Sequence, residues 1–122
     1  MRFTKDHEYV RVEDGTAKIG ISDYAQSQLG DVVFVDLPAV GVKFAKGDAA
    51  AVVESVKAAS DVYCPAAGEV VAVNDAVQTS PGLINEDAQE RGWLFKLKLS
   101  DPAEVEAMMD EAAYADFLKT LD

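Results

Sequence analysis

The chain has 122 residues, 49% of them hydrophobic, which is enough for one folded domain with its own core. Eleven basic residues face 22 acidic ones, and the net charge of −11 argues against nucleic acid or an anionic membrane surface as a partner. A single cysteine cannot form an internal disulfide, and no apolar segment approaches membrane-spanning length.

The N-terminus enters strand-like sequence at once, without a recognisable signal or transit segment. This predicts a cytoplasmic protein of bacterial type, although a mitochondrial protein whose presequence had been removed would look the same. No linker interrupts the sequence, so one domain is expected over residues 1–122.

The first half predicts strands, a short helix and more strands. Two strands, over 9–12 and 16–21, flank an "EDG" turn, and a helix follows near 22–29. Ser22 is a good N-cap for this helix, and Gly30 can supply its left-handed stop. Further strands are predicted over 31–38, 49–56, 60–65 and 68–75, with a turn at 46–48.

The last third predicts a loop, a strand and a long helix. "AVQTSPG", residues 76–82, has the composition of a loop, and 92–100 alternates as a half-buried strand does. A C-terminal helix is expected near 102–120, with Asp101 as its cap and Glu104 completing a capping box. Many short strands with an added helix are typical of a small β-sandwich or barrel.

Lys57 lies in the turn between two of the predicted strands, 49–56 and 60–65. A lysine in a turn is most often simply solvated, but this one is followed by the small residues "AAS" and flanked by two acids, Glu54 and Asp61. A flexible side chain on a rigid hairpin, with little bulk around it, suits a covalently attached swinging group.

At this point the sequence resembles a known family, the H proteins of the glycine cleavage system, which share the biotinyl/lipoyl carrier fold. "ESVKAASDVYCPAAGEVVAVN" is similar to the family's lipoylation signature, and the segments "SPGLINED" and "GWLFKLKLSD" resemble its later loop and last strand. The departures are Tyr9, where the family usually has tryptophan, Cys64 in place of a serine, and Asp6 where a serine often stands.

The resemblance implies a mainly β fold, the lipoyl-domain-like barrel-sandwich hybrid of two small antiparallel sheets, with the two helices described above. It implies a carrier and not an enzyme, with lipoate joined by an amide bond to Lys57. Lipoylating enzymes would recognise the residues around the lysine, namely Glu54, Ser55, Val56 and Ala58.

The resemblance also implies the partners. The arm would take the aminomethyl group of glycine from a pyridoxal-phosphate glycine decarboxylase to a tetrahydrofolate-dependent aminomethyltransferase, and dihydrolipoyl dehydrogenase, a FAD enzyme, would reoxidise it. A cleft that shelters the loaded arm is expected near Glu8 and Asp61, with Asp6 as a third carboxylate, because carboxylates accept hydrogen bonds from a cationic amine.

Several other functional hypotheses compete with that of a lipoyl carrier of the glycine cleavage system. A biotinyl carrier would usually have methionines beside the lysine, where this chain has Val56 and Ala58, and a lipoyl domain of a 2-oxoacid dehydrogenase would usually be shorter and tethered by a linker. A further alternative is a lipoyl donor or carrier that serves other lipoate-dependent complexes. An independent enzyme would have to rely on His7 or Cys64, whose surroundings are more typical of packing residues. A purely structural or interaction domain would explain the fold, but it would not explain why small and acidic residues surround Lys57.

Overall fold

The computed structural model describes residues 1–121 and contains two antiparallel sheets with short helices. In chain order the strands are β1 (Arg2–Phe3), β2 (Glu8–Glu13), β3 (Thr16–Ile21), β4 (Val32–Asp36), β5 (Lys43–Phe44), β6 (Ala49–Ser55), β7 (Ala59–Tyr63), β8 (Gly68–Val73) and β9 (Phe95–Leu99). One sheet has the order β1-β2-β3-β9-β8-β5 and the other has the order β4-β6-β7. The predicted fold class is confirmed.

The helices are short and connect or flank the sheets. They are α1 (Asp23–Leu29), α2 (Asp75–Thr79), α3 (Leu83–Asp87), α4 (Ala103–Glu106) and α5 (Glu111–Lys119). The predicted caps of α1 are confirmed, since Ser22 Oγ accepts the N–H of Ala25 at 3.2 Å and Gly30 has a φ of 79°. None of these helices, within residues 1–121, is long and apolar enough to span a membrane.

The loop predicted at 76–82 is wrong in its first half, where α2 forms. The Asn74 side chain caps this helix by accepting the N–H of Ala76, and the same side chain donates to the carbonyls of Arg91 and Trp93 at 2.8 Å. A single apolar residue, Val77, anchors the helix in the core. The helix therefore depends on contacts distant in sequence, which composition does not reveal.

The single C-terminal helix predicted near 102–120 is also wrong, because the segment forms two helices, α4 and α5. Between them, Met109 pairs with Phe3 through backbone hydrogen bonds of 2.8 and 3.2 Å, and Asp110 caps α5. The expected capping box does not form, since the Glu104 carboxylate accepts the N–H of Ala67 instead. The pairing with β1 takes the backbone out of the helical conformation at this point.

The apolar residues of both sheets pack into one core. Side chains such as Val35, Val53, Phe95 and Leu97 are fully buried between the sheets. Phe3, Tyr9 and Tyr114 form a second, smaller cluster that holds the chain ends together. The hairpin of β6 and β7 extends from the main core, with its inner face packed and its turn in solvent.

Candidate functional site

A tight turn between β6 and β7 holds Lys57 at the tip of the hairpin, as predicted. The backbone N–H of Ser55 donates to the carbonyl of Ala58 at 2.8 Å, and the Ser55 hydroxyl accepts the N–H groups of Lys57 and Ala58 at 3.1 and 3.2 Å. Serine hydroxyls stabilise turns in this way by satisfying loop N–H groups. The turn is therefore ordered by its own residues, while the lysine side chain is exposed.

The turn is also fixed to the neighbouring strand. The N–H of Val56 donates to the carbonyl of Asp31 at 3.0 Å, just before β4 begins. Asn85 holds the same segment from the other side, because its side chain donates to the carbonyl of Gly30 and accepts the N–H of Val32, both at 2.8 Å. The Lys57 turn is thus attached to the segment that precedes β4, and Asn85 of α3 holds that segment in place.

Gly30 leaves room for the lysine stem. A Cβ atom at this glycine would lie 3.5 Å from Cε of Lys57, so the stem passes over the end of α1. The φ of Gly30 is 79°, a conformation that side chains other than glycine rarely adopt. Among residues 1–121 the lysine has no ion-pair partner, so its ammonium is available.

The predicted recognition residues lie on both sides of the turn. Glu54 is the last residue but one of β6, paired with Ala59 on β7 and with Phe34 on β4. Val56 is two-thirds exposed (67%), although it is apolar, and Ala58 offers only a methyl group. Among the four predicted recognition residues only Glu54 carries a charge, and the others are small or apolar.

A cleft of about 330 Å³ lies between the start of β2, the helix α1 and the edge strand β7. It brings together the three carboxylates expected from the resemblance, Asp6, Glu8 and Asp61. The rest of its lining is mostly apolar and comes from His7, Ile21, Tyr24, Ala25, Gln28, Leu29, Val53, Ser60 and Val62. Because Leu29 directly precedes Gly30, one end of the cleft adjoins the residue over which the Lys57 stem passes.

Glu8 is the most perturbed carboxylate of the cleft. Only 3% of it is exposed, and burial raises its pKa from 4.5 to about 7, with a smaller contribution from the negative charge of Asp6. Hydrogen bonds from the Thr4 hydroxyl at 2.7 Å and from the N–H of Tyr63 at 3.4 Å oppose this rise. The carboxyl can therefore change its charge near neutral pH.

His7 and Cys64 occupy packed positions. His7 Nδ1 is 2.7 Å from the hydroxyl of Tyr114, and its ring lies 4.8 Å from that of Tyr24. Cys64 is buried, its thiol donates to the carbonyl of Ala66 at 3.1 Å, and burial raises its pKa to about 11. Such a thiol is a poor nucleophile at neutral pH.

The helical wall of the cleft is not among the residues predicted from the sequence. Tyr24, Ala25, Gln28 and Leu29 occupy one face of α1, at spacings of one and four residues. None of the residues of α1 is fully buried: Ala25 and Leu29 pack partly against the core, and the same face forms one wall of the cleft. A short helix with an apolar face at helical spacing was the available signal.

Comparisons with known proteins agree with this geometry. The family described as "Glycine cleavage H-protein" matches residues 1–121. The glycine cleavage system H protein of Beijerinckia indica is 63% identical over 120 residues, covering 98% of this chain and 97% of that protein. The one from Xanthobacter autotrophicus is 62% identical over 121 residues, covering 99% and 97%.

A solved structure is similar as well. The crystal structure of a glycine cleavage system H protein from Mycobacterium marinum has a TM-score of 0.88 and 34% sequence identity, covering 96% of this chain and 94% of that one. Both the fold and the sequence similarity extend over nearly the full length. The chain therefore belongs to the glycine cleavage H-protein family, whose members are lipoyl carriers of the glycine cleavage system and not themselves catalytic enzymes.

Proposed function

We propose that Lys57 is the residue that carries lipoate, through an amide bond to Nζ. The supporting observation is the presentation of this side chain, which is exposed at the tip of a turn ordered by Ser55 and attached to the chain at Asp31. Because Lys57 has no ion-pair partner in residues 1–121, its ammonium is free to lose a proton and be acylated as the amine. The stem rests over Gly30, where no side chain obstructs it.

We also propose that lipoylating enzymes recognise the residues beside the lysine. Glu54 supplies a charge at a fixed position on β6, and Ser55 fixes the direction in which the lysine leaves the turn. Val56 offers an exposed apolar contact, while Ala58 leaves space for the enzyme. These four roles are separable by substitution, since among the four side chains only that of Ser55 also holds the turn.

When attached, the lipoyl group supplies a disulfide that accepts electrons and a thiol that holds the one-carbon unit. The protein presents this group to glycine decarboxylase, aminomethyltransferase and dihydrolipoyl dehydrogenase in turn, and contributes no catalytic residue of its own. A rigid turn serves this role because the entropy of ordering the attachment point is lost on folding and not at each encounter. The bacterial relatives favour the cytoplasm as its location.

The cleft is proposed to shelter the loaded arm between encounters. Asp61 and the ionised form of Glu8 would accept hydrogen bonds from a cationic amine, with Asp6 adding negative charge at the rim. The apolar wall on α1 would exclude water from the labile end of the arm. Because the pKa of Glu8 is about 7, retention of the amine should strengthen as pH rises through neutrality.

Mass spectrometry of the intact protein tests the attachment site. Protein produced with lipoate should carry one lipoyl group, and Lys57→Arg should carry none. Lys46→Arg is the matched control, because Lys46 is an exposed lysine in another turn, and it should be lipoylated fully. A biotin adduct, or a lipoyl group that persists in Lys57→Arg, would rule out the proposal.

The cleft requires a separate test. Glu8→Gln and Asp61→Asn should speed hydrolysis of the loaded arm, while leaving lipoylation of Lys57 complete. The control is Glu13→Gln, which removes a carboxylate from the exposed end of the same strand as Glu8. Equal hydrolysis rates in all four proteins would show that the carboxylates of the cleft do not hold the amine.

A further inference from the structure

One tyrosine hydroxyl joins the two walls of the cleft. Tyr114 of α5 is almost fully buried, and its ring stacks on Phe3 at a centroid distance of 4.2 Å. Its hydroxyl lies 2.7 Å from Nδ1 of His7, on the β2 side, and 2.7 Å from Oγ of Ser22, at the start of α1. The Tyr114 side chain of α5 thus contacts both walls of the cleft without lining the cleft itself.

The direction of these hydrogen bonds follows from the capping of α1. Ser22 Oγ accepts the N–H of Ala25, and within residues 1–121 its only other hydrogen-bond partner is the hydroxyl of Tyr114. Because Ser22 is 1% exposed, its own hydrogen can be satisfied only by donation to Tyr114. Within residues 1–121 the only other hydrogen-bond partner of the Tyr114 hydroxyl is Nδ1 of His7, so the hydrogen of Tyr114 points to His7.

We propose that Tyr114 is a positioning residue that holds His7 neutral, with its proton on Nε2. In this arrangement Ala25 N–H donates to Ser22, Ser22 donates to Tyr114, and Tyr114 donates to Nδ1. The opposite tautomer, and equally the doubly protonated imidazolium, would carry a hydrogen on Nδ1 and leave the hydroxyl hydrogen of either Ser22 or Tyr114 without an acceptor.

The surroundings of His7 are consistent with a neutral ring. Burial lowers the pKa of His7, while the negative charge of Asp6 opposes this. Burial also raises the pKa of Tyr114, so its hydroxyl keeps the proton that it donates. The titratable groups that face His7 or share its cleft are Asp6 and Glu8 beside it, Tyr24 on α1, Asp61 on β7 and Tyr114 on α5.

The consequence for the carrier concerns charge, and it rests on the proposed function. An imidazolium in the cleft would repel a cationic amine and would compete with it for Glu8 and Asp61. When His7 is neutral, the carboxylates of the cleft can bind the amine without this competition. Tyr114, although it does not line the cleft, would therefore strengthen retention of the loaded arm through His7.

Nitrogen-15 NMR of the imidazole of the unlipoylated protein tests the inference directly, because His7 is the only histidine. The wild type should show the Nε2–H tautomer. Tyr114→Phe keeps the ring that stacks on Phe3 but removes the hydroxyl, so the tautomer ratio should shift toward Nδ1–H by about fivefold, the equivalent of one hydrogen bond of ~1 kcal/mol. Protonation of His7 should also move to higher pH.

Tyr9→Phe is the matched control, because this buried tyrosine hydroxyl donates to the carbonyl of Ala88, away from His7. It should lower the melting temperature without changing the His7 signals. Unchanged His7 signals in Tyr114→Phe, or an Nδ1–H tautomer in the wild type, would overturn the inference.

The second readout uses the lipoylated protein. Tyr114→Phe should speed hydrolysis of the loaded arm most at low pH, where its His7 becomes charged, and Tyr9→Phe should not. Altered NMR signals with an unchanged hydrolysis rate would overturn the role of Tyr114 in retention. If the wild type took up no lipoate, the proposed function would fail, and the NMR result would still decide the state of His7.

Discussion

Replacement of Glu8 by glutamine should alter how stability depends on pH. Glu8 is only 3% exposed, and burial raises the pKa of its carboxyl from 4.5 to about 7, with a smaller contribution from Asp6. Below pH 4.5 the group is protonated in both the folded and the unfolded chain. Between pH 4.5 and 7 only the unfolded chain loses the proton, so the free energy of unfolding falls as pH rises, and above pH 7 the penalty stays constant.

The size of this destabilisation follows from the difference between the pKa values of Glu8 in the folded and the unfolded chain. At ~1.4 kcal/mol per pH unit, the rise from 4.5 to about 7 corresponds to about 3 kcal/mol at pH 8, of which about 2.5 kcal/mol develops above pH 5. The glutamine amide would face the N–H of Tyr63, which now donates to the carboxylate, and this costs about 1 kcal/mol at every pH. The variant should therefore be the more stable protein at pH 8 but not at pH 5.

Urea unfolding of both proteins at pH 5 and pH 8 measures this difference. The free energy of unfolding of Glu8→Gln relative to wild type should rise by about 2.5 kcal/mol between the two pH values, whatever its constant offset. Glu13→Gln, an exposed carboxylate on the same strand, controls for the loss of one negative charge. A relative stability that does not change between pH 5 and pH 8 would show that burial does not raise the pKa of Glu8.

Three further predictions concern the scaffold. The Cys64 thiol, with a pKa near 11, should resist a thiol reagent in the native protein at pH 8 and react once urea unfolds it. Gly68→Ala should lower the free energy of unfolding in urea titrations by about 1–3 kcal/mol, because the new Cβ would lie 2.6 Å from the carbonyl oxygen of Lys98. Gly82→Ala is the control: its Cβ would meet no atom within 4 Å, so it should be neutral or slightly stabilising. Asn85→Ala should lower the free energy of unfolding by about 1–3 kcal/mol, since it removes both hydrogen bonds that fix the segment beside the Lys57 turn.

The sequence predicts best the features that depend on neighbours along the chain. The helix capped by Ser22, the alternating strand that ends at Leu99 and the turn that exposes Lys57 are all local patterns. Each of these elements was expected from spacing alone, and the structure contains each of them.

Features that need distant partners could not be predicted in this way. The C-terminal helix breaks because Met109 pairs with Phe3, from the opposite end of the chain. The cleft joins Glu8, α1 and β7, and only the family resemblance suggested that Glu8 and Asp61 would meet. The contact of Tyr114 with His7 had no sequence signal, because an apolar helix face does not reveal where a hydroxyl at its edge will point.

Single-turnover decarboxylation measures whether the one-carbon unit of glycine is carried on Lys57. With glycine decarboxylase and the lipoylated chain as the only acceptor, we expect one CO₂ released for each lipoyl group on the wild type and on Lys46→Arg. After the same lipoylation treatment, Lys57→Arg should release none. Release of CO₂ with Lys57→Arg as the acceptor, or no release with fully lipoylated wild type, would show that Lys57 does not carry the one-carbon unit.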